Sequence, residues 1–174
     1  VASRGLGDVY KRQLPGSQAG RHHRDLRPAR NREGLTVREA DLDFFFDPVC
    51  PFAWITSRWV YEVQRQRDYA VAWKFISLRM VNDDRGYGDI PEQYKVLHDI
   101  GLMGLRIASA GRAAAGNDAV FSVYTAIGQA AHVQGRREEA VADPRAFYAK
   151  VLAEASLPAE WALAGDDIAH DEVI

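Results

Sequence analysis

Leu42-Asp43-Phe44-Phe45-Phe46-Asp47-Pro48-Val49-Cys50-Pro51-Phe52-Ala53-Trp54 is the stretch on which the reading of this chain turns. Leu42 to Phe46 is short, aromatic and closed by Asp-Pro, the pattern of a strand buried on both faces as in parallel sheets. Pro51 is a natural first helical residue, because its missing N–H is one the helix leaves unpaired anyway and its fixed φ already suits the helix. Cys50, the one cysteine of the chain, therefore sits at or beside the N-cap of a helix that runs to about Gln66. A sulfur there meets the free N–H groups of the first turn and the positive end of the helix dipole, and both favour the thiolate.

Outward from that helix, Ile55, Trp59, Val60 and Val63 recur at three- and four-residue spacing and read as its buried face, with Arg58, Glu62 and Arg65 on the other side. Residues 71–78, β-branched and aromatic, predict a second strand. A strand, helix and strand of this size form a parallel pair, which places Cys50 beyond the carboxyl end of the first strand, where open α/β sheets hold their ligands. Residues 82–89 read as a loop, and Pro91-Glu92-Gln93-Tyr94 opens a helix. Helical patterns follow over residues 102–115, 120–133 and 144–155, the last with Asp143 as N-cap and Pro144 at the first position, then a shorter segment over 158–164. The expected organisation is a disordered basic leader over residues 1–40, a β-α-β unit over 41–80, and a helical insertion over 81–174 laid across the sheet edge near Cys50.

The chain has 174 residues and is 47% hydrophobic, enough to bury a core as one domain with an insertion. Its net charge of -2 hides an asymmetry: residues 1–40 carry nine Lys+Arg against four Asp+Glu, leaving thirteen against twenty for the rest. The basic arm lacks interleaved aromatics beyond Tyr10, which argues against nucleic-acid binding. Its Arg21-His22-His23-Arg24 cluster has no cysteine at zinc spacing, so no metal is expected. A single cysteine excludes an internal disulfide, and no apolar signal core or membrane-length apolar run is present. The expectation is a cytoplasmic protein without a membrane partner.

The segment Phe46-Asp47-Pro48-Val49-Cys50-Pro51-Phe52-Ala53-Trp54-Ile55-Thr56-Ser57-Arg58-Trp59 resembles the mycothiol-dependent nitroreductase family, within the DsbA-like branch of the thioredoxin fold. Pro91-Glu92-Gln93-Tyr94 and Tyr124-Thr125-Ala126-Ile127-Gly128, followed by His132 and Gly135, match two further blocks, so the resemblance covers roughly residues 42–174. It implies an α/β, thioredoxin-like protein that reduces a small-molecule acceptor with electrons from mycothiol or a similar low-molecular-weight thiol. Cys50 would be catalytic. The cofactor-binding positions carry over to Pro51, Phe52 (usually Trp in the family), Trp54, Asn82, Tyr94 and His132. An aromatic beside the sulfur would shield it, while an amide, a phenol and an imidazole suit a polar thiol or a leaving group in need of a proton. Plain structural roles stay open: His132 as a satisfied core or surface residue, Tyr94 as packing, Asn82 as a turn residue and Cys50 as an inert core thiol.

Two departures from the family pattern bear on mechanism. Ala53 stands where well-studied members of the wider DsbA-like group carry a second cysteine, so no resolving thiol can close a disulfide with Cys50. What remains is a mixed disulfide with mycothiol, or a sulfenic acid, released by a second thiol molecule. A transferase or isomerase resembling the kappa-class glutathione transferases, which orients a thiol without cysteine turnover, is the enzymatic alternative. A degenerate thioredoxin-like binding module is the other. The chain also stops at Ile174, before the place where the family puts its remaining strands and a cis-proline loop. Two strands are too few for an independently stable sheet, so a fragment of a longer protein, with a non-native leader, is expected.

Overall fold

Phe44 and Phe46 leave β1 (Leu42–Phe46) on the same side, and the parallel register with β2 (Val71–Phe75) sets them opposite Trp73 and Phe75. Four aromatic side chains thus line one face of a two-stranded sheet, with ring centroids 5.2 Å apart for Phe44–Trp73 and 5.8 Å for Phe46–Phe75. These coordinates are a computed structural model that describes residues 39–88 and 90–174. The chain divides into the units Val1–Val37 and Arg38–Ile174, and the described residues lie in the second. The expected basic leader, with its His22-His23 pair, falls outside the described residues, all but its last two positions.

β1 is buried on one face, not two as the sequence suggested: Phe46 is 0% exposed and Phe45 57%. The reason is that α1 (Pro51–Gln66) and the later helix α3 (Glu92–Gly128) both pack on the aromatic side. Tyr124 of α3 stacks on Phe46 at 4.0 Å and meets Trp54 of α1 edge-on at 5.8 Å. Helix α1 is also turned from its expected orientation. Trp54, Ser57 and Val60 are buried, while Ile55 and Trp59 are 67% and 68% exposed. The inward face keeps Val60, as expected, but takes Trp54 and Ser57 in place of Ile55 and Trp59, and Arg58, expected on the other side, turns inward with them. It is set by the Arg58 guanidinium, which lies 4.0 Å from the Trp54 ring centroid and 5.1 Å from that of Phe121, and donates to Thr125 Oγ1 at 3.1 Å.

The second strand and the following loop also differ from the sequence reading. β2 ends at Phe75, and α2 (Leu78–Arg85) occupies the start of what reads as a loop. Ser77, hidden in an apolar run, is the cause: its hydroxyl accepts from Met80 N at 3.3 Å and caps the new helix. The long element α3 absorbs the helix opened by Pro91 and both central helical patterns. It breaks at Ala115 (φ −144°, ψ 16°) and Gly116 (φ 77°, ψ −160°), a conformation open only to glycine at the second position. The break has a use. Asn117 accepts from Trp73 N and donates to Val71 O, both at 2.9 Å, and Arg112 donates to Trp73 O at 2.5 Å, so the outer edge of β2 is closed by side chains.

A π-helical turn (Gln129–Val133), α4 (Arg137–Ala142) and α5 (Pro144–Glu154) complete the helical part, followed by 3₁₀ turns at Ala159–Asp166 and Ile168–Val173. Asp143 accepts from Ala146 N at 3.0 Å with Pro144 behind it, as the sequence indicates. The described chain is mostly helical with a small parallel sheet. No helix among the described residues is long and apolar enough to cross a membrane.

Candidate functional site

Cys50 is the N-cap of α1, with φ −76° and ψ 112°, and Pro51 is the first helical residue. Its Sγ accepts from Ala53 N at 3.5 Å, while its own N–H donates to Asp47 O at 3.0 Å. The sulfur therefore points into the open first turn of a sixteen-residue helix, on a residue that is partly exposed. Pro51 is exposed beside it, and Phe52 is 79% exposed, so an apolar surface flanks the sulfur on its outer side.

Asp47 holds this turn from within. Its carboxylate is 1% exposed; Oδ1 accepts from Val49 N at 3.0 Å and Oδ2 from Leu78 N at 2.8 Å. One side chain thus joins the cysteine turn to the start of α2. Burial pushes its carboxyl up to about 6, against the two backbone hydrogen bonds, which pull it down. The close approach depends on glycines of α3: a Cβ on Gly101 would lie 2.6 Å from Asp47 Oδ1, and one on Gly104 would lie 3.0 Å from Pro48 Cγ. Below Pro48 and Val49, a cavity of about 30 Å³ reaches Tyr148, whose phenol donates to Ile100 O at 2.5 Å.

His132 reaches the same turn from the π-helical segment, as π turns often deliver side chains to functional positions. Its Nε2 lies 2.8 Å from Pro48 O and its Nδ1 2.7 Å from Arg137 Nη2. Because a guanidinium can only donate, Nδ1 accepts and Nε2 carries the proton given to Pro48 O. The imidazole is a neutral clamp. Burial, followed by the nearby Arg137 charge, lowers its pKa against the opposing effect of the Pro48 bond. The ring stacks on Trp54 at 5.8 Å, and Trp54 is 6% exposed, packed so closely on α3 that a Cβ on Gly128 would lie 2.2 Å from its ring.

Of the residues singled out from sequence, Cys50, Pro51 and Trp54 lie together at the start of α1, and His132 joins them through Pro48 O and its stacking on Trp54. Phe52 stands next to them, facing outward. Asn82 lies on α2, one turn beyond Leu78, and donates to Leu78 O at 2.7 Å. Tyr94 is 48% exposed in the first turn of α3. Neither is hydrogen-bonded to the cysteine turn. Sequence reasoning missed Asp47 as a site residue, together with Arg137 and the α3 glycines; an acid directly before Pro-Val-Cys and helix-interior glycines spaced by three were the available signals. Behind Trp54, the buried hydroxyl of Tyr124 and Nη2 of Arg58 find no hydrogen-bond partner at ordinary geometry among the described residues. Burial pushes the Tyr124 phenol up to about 12. Among the described residues no group of three or more His, Cys, Asp or Glu is arranged to hold a metal ion.

The model of the family described as Rv2466c-like, mycothiol-dependent nitroreductase Rv2466c, matches residues 49–174, which include the cysteine, its helix and every helical element after it. The chain belongs to this family. The resemblance read from the cysteine motif and the two later blocks is thereby borne out. Among curated proteins, the uncharacterized protein Rv2286c of Mycobacterium tuberculosis (strain ATCC 25618 / H37Rv) is 46% identical over 41 residues, covering 24% of this chain and 18% of that protein. In this member of the Rv2466c-like family, the matched region begins at Val49, one residue before the sulfur.

Proposed function

We propose that the chain carries the cysteine site of a thioredoxin-like, DsbA-related oxidoreductase that draws electrons from a low-molecular-weight thiol, mycothiol or a close analogue, in a reducing cytoplasmic setting. The observation that carries this reading is Cys50 capping α1 with Sγ on the Ala53 N–H, in a chain that belongs to a mycothiol-dependent nitroreductase family. The residues suit a thiol ligand: the sulfur is partly exposed, and Pro51 and Phe52 offer an apolar platform beside it. Asn82 and Tyr94 supply the polar contacts to the rest of the thiol molecule.

With Ala53 in place of a resolving cysteine, one sulfur must serve throughout. Cys50 takes an oxygen from an oxygen-bearing acceptor such as a nitro compound, giving up two electrons and becoming the sulfenic acid. A first thiol substrate condenses with it, losing water and forming a Cys50 mixed disulfide. A second thiol attacks the outer sulfur of that disulfide, and Cys50 leaves as the thiolate. The sum is two thiols and one oxidised acceptor converted to one disulfide, one water and the reduced acceptor. The helix start favours Cys50 as a leaving group in the last step, because the first-turn N–H groups accept the negative charge. The test is thiol consumption with a nitroaromatic acceptor: two thiols are consumed per acceptor reduced by two electrons, and Cys50→Ser shows no turnover. Undiminished turnover in that variant would refute the cysteine-centred reading.

A further inference from the structure

Asp47 is an acid sealed beneath the reacting turn, and the function above assigns it no part. Its two oxygens take the N–H of Val49, one residue before the sulfur, and the N–H of Leu78, the first residue of α2. The second bond spans 31 residues and is a side-chain tie between the cysteine turn and the helix that carries Asn82. Both acceptor sites are needed, since only an ionised carboxylate receives two such bonds without presenting a proton or an NH₂ to one of the donors. Gly101, where a Cβ would come within 2.6 Å of Oδ1, leaves the room that the bracket occupies.

We propose that Asp47 is the positioning residue of the cysteine site, its carboxylate locking the Cys50 turn to the start of α2 so that loss of its charge slows thiol exchange at the sulfur. The inference rests on the reading of Cys50 as the reacting group and acts through backbone N–H groups, without Asp47 touching substrate. The titratable groups around the carboxylate are Cys50 in its own turn, Tyr124 from α3, Tyr148 from α5 and His132, which reaches the neighbouring Pro48 carbonyl. On α2, Arg79 is held by Asp83 and Asp99. No cation among the described residues forms an ion pair with Asp47. Ionisation is then opposed by burial, and the carboxyl titrates near 6, within reach of experiment.

The test uses the full chain and a pyridyl disulfide, a probe that reacts with thiols across the acid range and needs no mycothiol. The wild-type rate at Cys50 should bend near pH 6, with rates above the bend about tenfold higher than extrapolation from the acid side, as one lost hydrogen bond predicts. Asp47→Asn should lack the bend and follow the lower limb throughout. A variant profile that parallels the wild type, bend included, would overturn the proposal, because a merely structural residue rescales the profile without changing its shape. If the variant does not fold, the wild type alone decides by NMR. The amide resonances of Val49 and Leu78 should titrate together with a midpoint near 6, and independent or flat titrations would overturn the proposal. Failure of Cys50 to exchange with mycothiol would leave these readouts intact, so the two proposals fail separately.

Discussion

Gly128→Ala sets two effects of opposite sign against each other. Helix propensity alone favours alanine at an interior position by about 1 kcal/mol. Packing opposes it, because the added Cβ would stand 2.2 Å from Cε3 and Cζ3 of Trp54. Carbon atoms rest at roughly 3.5–4 Å, so the contact must open by more than ~1 Å. Trp54 has little freedom to yield: His132 stacks on the ring at 5.8 Å and Arg58 lies 4.0 Å from its centroid. Overpacking of a clamped side chain costs about 1–3 kcal/mol or more, and the upper end applies here. The net expectation is a loss of ~2 kcal/mol, which lowers the melting temperature by roughly 4–10 °C for a unit of this size. Thermal denaturation followed by near-ultraviolet circular dichroism measures it, with Gly111→Ala as the control, since its Cβ would meet Trp161 Cζ3 at a milder 3.2 Å. An unchanged or raised melting temperature for Gly128→Ala would refute the packing assigned to Trp54.

Burial raises the Asp47 carboxyl from 3.8 to about 6, so the folded chain binds that proton more tightly than the unfolded one. The resulting stability is fully present below pH ~4 and is lost as the pH rises through 6, about 3 kcal/mol in all. Asparagine lacks this dependence. The wild-type melting temperature should therefore gain several degrees on that of Asp47→Asn between about pH 7.5 and about pH 5, and a constant gap would contradict the burial. His132→Ala leaves Pro48 O and Arg137 without their partner and should cost about 1–3 kcal/mol in chemical denaturation. Tyr148→Phe removes a fully buried hydrogen bond to Ile100 O and should cost about 1–1.5 kcal/mol by the same measurement, with Cys50 reactivity unaltered.

What the sequence disclosed was mainly local chemistry. Pro51 after Cys50 and Pro144 after Asp143 mark helix starts whose cause lies within four residues, and both appear as expected. The gap left between the helical patterns 102–115 and 120–133 likewise coincides with the break at Ala115 and Gly116. The orientation of α1 was only partly legible, because Val60 belongs to either stripe and Ile55 and Trp59 fit beside it as well as Trp54 does. The choice between them is made by Phe121, Tyr124 and Thr125, more than sixty residues away. Ser77 was masked by its apolar neighbours, and its role as a cap depends on where β2 runs out. At the site, Cys50 and His132 could be named from the motif, whereas Asp47 resembles any acid before a turn proline. Only the approach of Gly101 and the distant N–H of Leu78 reveal it as the anchor of the turn.

The most direct measurement is the intact mass of the reduced chain after incubation with oxidised mycothiol, with peptide mapping of the product. One mycothiol should be added as a mixed disulfide on Cys50, removed again by excess reduced thiol, and absent from Cys50→Ser. A chain that stays unmodified while Cys50 remains open to small alkylating agents would contradict a sulfur built for exchange with a low-molecular-weight thiol.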